Sequence, residues 1–138
     1  MITVTIRNMA EFQTVLMEGH KIFYTTARDE TRKLHIVLDA AIGETSGSWL
    51  PDDKTKVKAF WINLDRGNLP TIPQTVWFGY SDTVLFYTPD LESEQELERR
   101  ARLGIDGHRM FPELSDAWKA LQEGNMTSHQ FAEVRDKL

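Results

Sequence analysis

The stretch TVLFYTPDLESEQELERRAR, residues 83–102, divides the chain into two chemically different parts. Residues 83–88 are rich in β-branched and aromatic side chains, which favour strands. After Pro89 the sequence is dominated by Glu, Leu, Gln and Arg, which favour helices, and Asp90 is placed to cap the first of them. We therefore expect an α+β protein with a sheet-rich part at 1–89 and a helical part at 90–138.

The sheet-rich part shows strand patterns joined by short links, without crossover helices. A short helix is predicted at 9–18, capped by Asn8, and residues 41–54 carry two Gly, two Ser and a Pro, which predict a long loop. Strands are predicted at 2–7, 20–27, 32–40, 55–64, 75–80 and 83–88, the last two joined by a tight turn at 81–82. This order favours a mostly antiparallel sheet of five or six strands.

The helical part is predicted to contain three helices. They cover 91–103, 112–122 and a final segment after Thr127, where Gln130 completes a capping box. The first helix is highly charged, and its spacing predicts two ion pairs, Glu96 with Arg100 and Glu98 with Arg102. Its apolar stripe is thin, so we expect weak packing on the sheet and a tendency to lie at a subunit seam.

Composition excludes several classes of function. A chain of 138 residues with a net charge of −5 is expected to form one domain that is not attracted to nucleic acid or anionic membrane. No cysteine, signal segment, membrane-spanning stretch or dinucleotide-binding glycine motif is present, and the four histidines lack metal-ligand spacing. We therefore expect a cytoplasmic protein without a cofactor or metal. Small proteins of this kind are common in phages and mobile elements, and we expect such an origin.

Aromatic residues are the first candidate ligand contacts. Adjacent rings occur on three predicted strands, at Phe60–Trp61, Trp77–Phe78 and Phe86–Tyr87, which places rings on both sheet faces. If helices cover one face, the other rings form a second core, a dimer interface or a stacking platform. Trp77 and Tyr80 are the rings that we expect to stack on a ligand.

Basic residues near the end of the first C-terminal helix are the second candidate. Arg102 is followed, beyond a break at Gly104–Gly107, by His108 and Arg109. Guanidinium groups bind carboxylates and phosphates through two parallel hydrogen bonds. The sequence therefore predicts a cationic corner at Arg102, His108 and Arg109 for a small anion.

Three functional hypotheses follow. The first is a non-enzymatic binding protein, inhibitory or sequestering in type and a homodimer, that engages a partner protein or a small anionic, nucleotide-like ligand. The second is a small enzyme for a phosphorylated or nucleotide substrate, with His108 or His20 and a loop Asp as acid and base, which requires a histidine in a cleft beside a carboxylate. The third is a structural assembly subunit, which requires a large apolar interface and no pocket.

Overall fold

A computed structural model describes residues 2–26, 33–46, 56–76, 83–104 and 111–138. Six strands and four helices are present in this part of the chain. They are β1 (Val4–Ile6), α1 (Met9–Met17), β2 (Ile22–Thr26), β3 (His35–Ser46), β4 (Lys56–Leu64), β5 (Gln74–Val76), β6 (Thr83–Tyr87), α2 (Leu91–Arg102), α3 (Pro112–Gln122) and α4 (Ser128–Asp136). This content confirms the predicted α+β class.

The six strands form one antiparallel sheet in the order β1-β6-β2-β3-β4-β5. Strand β6 lies between β1 and β2, so the last strand of the sheet-rich part is inserted beside the first. The predicted pairing of the strands on either side of residues 81–82 as a hairpin is therefore wrong, while the link at 81–82 itself lies outside the described residues. Both edges of β6 are occupied by β1 and β2, while β5 pairs with β4.

Strand β3 is longer than the sequence predicts. Residues 41–46, expected to begin a loop, continue the strand and pair with β4 from Ala41–Trp61 to Ser46–Lys56. Gly43 is part of this pairing, and the Trp61 ring lies so close to it that a Cβ atom at position 43 would clash with Cζ3 of Trp61. The glycine therefore admits the close approach of an aromatic ring within a strand.

Both faces of the sheet are covered. The helix-side cluster packs α2, α3 and α4 on β2, β3 and β6. Its buried members are Phe23, Leu34, Ile36, Val84, Phe86, Leu97, Phe111, Leu114, Ala117 and Phe131. The α1-side cluster lies on the opposite face of the sheet, where side chains of α1 pack with those of β1, β2, β4, β5 and β6. Its buried members are Ile6, Phe12, Val15, Ile22, Phe60, Ile62, Leu64, Val76 and Leu85.

Local capping signals determine where the helices begin. Asn8 accepts a hydrogen bond from the backbone N–H of Glu11, and Thr127 and Gln130 form the predicted capping box. Asp90 accepts from the backbone N–H of Ser93 at 2.7 Å, and this hydrogen bond is the main cause of the lowered pKa of Asp90. The cap fixes the start of α2, and thereby the position of Arg102 at its other end.

Candidate functional site

A cleft of about 500 Å³ lies where the C-terminal end of α2 meets β3 and the chain after β4. In two of its walls the chain turns at a glycine, Gly67 (φ +67°) and Gly104 (φ +69°). Both have a left-handed backbone conformation that other residues rarely adopt. Leu97, fully buried in the helix-side cluster, anchors α2 to the sheet. The cleft therefore lies between anchored elements, and its volume suits a small molecule.

Three cationic side chains line this cleft, one from each wall. They are Lys33 before β3, Arg66 after β4 and Arg102 in the last turn of α2. Lys33 makes no ion pair with any residue that the structure describes, and Arg66 donates from Nη1 to the backbone oxygen of Pro70 at 3.0 Å. Both cationic groups therefore retain donors for a ligand.

Asp65 is the acidic residue among the described residues of the cleft lining. Its carboxylate accepts from Arg102 at 3.4 Å and from the backbone N–H of Gly67 at 3.0 Å. Three cations against one carboxylate leave a surplus of two positive charges in the described lining, in a protein whose net charge is −5. Local charge of the opposite sign to the whole protein indicates a place where anions bind.

The other side chains of the cleft are apolar or aromatic. Leu69 and Ala101 contribute apolar surface, whereas Leu34 and Ile36 of the lining belong to the buried helix-side cluster, and His35 lies on the wall formed by β3. The imidazole of His35 contacts the ring of Tyr24 with 6.0 Å between ring centroids. The lining thus combines positive charge with surface for an uncharged part of a ligand.

The other arginines of α2 are engaged elsewhere. Arg99 and Arg100 both donate to the carboxylate of Glu96, at distances from 2.7 to 3.1 Å, and these hydrogen bonds, with Arg99 first, lower the pKa of Glu96 to about 2. The Glu96–Arg100 pair is therefore confirmed. The predicted Glu98–Arg102 pair is wrong, because Glu98 pairs with Lys21 and Arg102 pairs with Asp65. Partners from other elements replace the expected partner on the same helix.

Of the five predicted ligand residues, the structure places Arg102 in the cleft. The other four, Trp77, Tyr80, His108 and Arg109, lie outside the described residues. The sequence did not single out Lys33, His35, Asp65 and Arg66 as one group, since they are far apart along the chain. The signal that could have found them is the antiparallel pairing of β3 with β4, which brings residues 33–37 next to residues 64–66.

The aromatic rings in the described part of the chain lie mainly in the two hydrophobic clusters. Phe12, Phe23, Phe60 and Phe86 are fully buried, and Trp61 and Tyr87 are partly covered. None of the large hydrophobic side chains exposed in these residues is aromatic. For the described strands, rings on the second face therefore form a second core rather than a stacking platform.

The two other described histidines lie outside the cleft lining. His20 is 3.2 Å from Glu18 and its ring lies against Tyr87, whereas His129 is 3.2 Å from Glu133 on α4. Within the described ranges, no set of three or more His, Asp or Glu side chains is arranged to hold a metal ion. The same part of the chain contains no helix with the length and apolarity required to span a bilayer.

Comparison with protein-family models, with curated proteins and with solved structures gave no match. The geometry of the cleft is therefore the basis for assigning a function.

Proposed function

We propose that this is a non-enzymatic binding protein, inhibitory or sequestering in type, that takes a small anionic, nucleotide-like ligand in the cleft between α2 and β3. The observation that carries the proposal is the surplus of two positive charges among the described residues that line a cleft of about 500 Å³. This local charge is opposite in sign to that of the whole protein, which has 21 acidic and 16 basic residues, and it attracts anions to the cleft. The predicted contacts from Trp77, Tyr80, His108 and Arg109 remain part of the proposal.

Arg102 is the residue through which the proposal is tested. Its side chain is 65% exposed and meets Asp65 in one long contact, so the guanidinium has donors left for a phosphate or carboxylate. The substitution Arg102→Gln removes the charge and keeps a long polar side chain that tolerates a helix. Loss of an exposed ion pair costs little folding stability, so the variant should remain folded.

We expect Arg102→Gln to weaken binding of nucleoside monophosphates by about tenfold, since a hydrogen bond to a charged group contributes roughly 1.5–3 kcal/mol. Isothermal titration calorimetry with a panel of four nucleoside monophosphates and their uncharged nucleosides measures this effect. The matched control is Arg99→Gln, in the same helix turn and also exposed, which binds Glu96 instead of lining the cleft. Equal affinity of wild-type protein and Arg102→Gln, or no nucleotide binding by either protein, would contradict the proposal.

The enzyme alternative has one observation in its favour, namely that His35 and Asp65 line the same cleft. This histidine differs from His108 and His20, which the sequence suggested. Chromatography of the nucleotides recovered from the calorimeter distinguishes a binding protein from an enzyme. Intact nucleotide supports the binding protein, whereas conversion to a product would replace it with an enzyme.

The proposal includes a cytoplasmic homodimer of phage or mobile-element type that associates through α2. Two leucines of this helix region support the interface, since Leu91 is 68% and Leu103 is 65% exposed. Burial of these two leucines between subunits would remove their apolar surface from water, which favours association. Native mass spectrometry should show two chains, and a spectrum with single chains alone would remove the dimer from the proposal.

A further inference from the structure

We infer that the cleft recognises the doubly charged phosphate of a phosphate monoester, and that Asp65 is an internal carboxylate that competes with this phosphate for Arg102. The inference rests on the proposed function and names its ligand class.

Asp65 is fixed in place by backbone contacts that do not involve Arg102. Its N–H donates to the carbonyl oxygen of Ile36 at 2.8 Å, and its Oδ1 accepts from the N–H of Gly67 at 3.0 Å. The first contact ties the residue to β3, and the second is an Asx turn. The carboxylate therefore stays beside the cleft whether or not Arg102 is paired with it.

The contact between Asp65 and Arg102 is one that a ligand can displace. It consists of one hydrogen bond of 3.4 Å, from Nη1 of Arg102 to Oδ2, with the arginine side chain 65% exposed. Arg99 shows the contrast, because its guanidinium makes two hydrogen bonds to Glu96, at 2.7 and 3.0 Å. A single long contact in water contributes little, so an incoming phosphate can take over this guanidinium.

The charge of the lining indicates the charge of the ligand. In the part of the lining that the structure describes, Lys33, Arg66 and Arg102 outnumber Asp65 by two positive charges. A phosphate monoester carries about −1.5 to −2 charges at neutral pH and offers three acceptor oxygens. One such group neutralises the surplus and accepts hydrogen bonds from cations on all three walls.

The apolar lining indicates that the phosphate is attached to an organic group. Leu34, Ile36, Leu69 and Ala101 form part of the cleft, and its volume of about 500 Å³ exceeds the space that a free phosphate occupies. An ester with a carbon-rich body uses both kinds of surface. A nucleoside monophosphate is the probe that represents this class.

The substitution Asp65→Asn separates the charge of Asp65 from its structural role. Asparagine keeps an oxygen that accepts the N–H of Gly67, while the negative charge beside Arg102 is lost. The matched control is Asp116→Asn, which removes one charge from the exposed face of α3, outside the cleft lining. The probes are AMP, cyclic AMP and adenosine, which share one body and carry about two, one and no negative charges at about pH 8.

We expect Asp65→Asn to bind AMP about tenfold and cyclic AMP about threefold more tightly than wild-type protein, with no change for adenosine. Repulsion by Asp65 scales with ligand charge, so the gain for AMP should be about the square of that for cyclic AMP. Calorimetry at low salt measures these ratios, and added salt should reduce them. Asp116→Asn should bind all three probes as wild-type protein does.

The outcomes separate this inference from the proposed function. If AMP binds and Arg102→Gln weakens it, but Asp65→Asn gives no gain, the binding function stands and the role of Asp65 is overturned. Equal gains for AMP and cyclic AMP would overturn the competition for charge. If no variant binds any anion, the binding function itself fails. Thermal melting reports folding, and Asp65→Ser, which also offers an acceptor to Gly67, serves if the asparagine variant unfolds.

Discussion

Replacing Phe60 with alanine is expected to lower the free energy of unfolding by about 3–5 kcal/mol. Phe60 is fully buried in the α1-side cluster, and its ring centroid lies 4.5 Å from that of Phe12 on α1. On β4 it is paired with Ile42 of β3 and with Val76 of β5. Truncation therefore removes contacts between one helix and three strands and leaves a cavity. Urea unfolding followed by circular dichroism measures the change.

Two companion variants make the result specific to the buried ring. Phe60→Leu retains apolar volume and should cost clearly less than the alanine variant. Ile72→Ala changes a side chain that is 63% exposed and should alter stability by less than about 0.5 kcal/mol. A loss below about 1 kcal/mol for Phe60→Ala would be inconsistent with a second core on this face.

The second large effect is expected at Leu97, where alanine should lower the free energy of unfolding by about 2–5 kcal/mol. Leu97 is fully buried among the helix-side cluster and is the main apolar contact of α2 with the sheet. Its loss also loosens the helix that carries Arg102. Nucleoside monophosphate binding should therefore weaken under conditions in which the variant is still folded.

The matched control for Leu97 is Leu38→Ala on β3, outside both the cleft lining and the proposed interface. Leu38 is 57% exposed, and the substitution removes the same atoms without leaving a cavity. Guanidinium unfolding of both variants should show an effect below about 0.5 kcal/mol at Leu38. Similar losses at the two positions would mean that α2 is not anchored through Leu97.

The helices could be predicted well because their signals are local. Asn8, Asp90 and Thr127 each cap the helix that follows them, and Pro112 opens α3 as its position predicts. A cap involves residues within one turn of each other, so the sequence contains both partners. The predicted limits of α1, α2 and α3 accordingly lie within a residue of the observed ones.

The strand order could not be predicted because it depends on contacts between distant residues. Gly43 and Ser46 suggest a loop by composition, yet pairing with β4 keeps both in β3. The short link at 81–82 suggested a hairpin, but β6 pairs with β1 and β2 instead. The preference of a short link for a hairpin is outweighed here because the interior position of β6 in the sheet buries Val84, Leu85 and Phe86.

The candidate site was predictable at one corner. The basic end of α2 marked Arg102, since its charge pattern is visible in one helix. Lys33, Asp65 and Arg66 become neighbours of this end because the contact between β3 and β4 continues to Ile36 and Asp65, where both chains line the cleft with α2. Such a group depends on tertiary structure, and no spacing in the chain indicates it.

The two-sided covering of the sheet has a consequence for dividing this polypeptide. Phe23 on β2 and Phe86 on β6 are covered by side chains of the helices that follow Pro89, such as Leu97 and Phe131. A fragment ending at Thr88 would contain all six described strands. It would nevertheless expose a large hydrophobic surface to water, which favours aggregation. Expression trials should therefore keep the strands and the last three helices on one polypeptide.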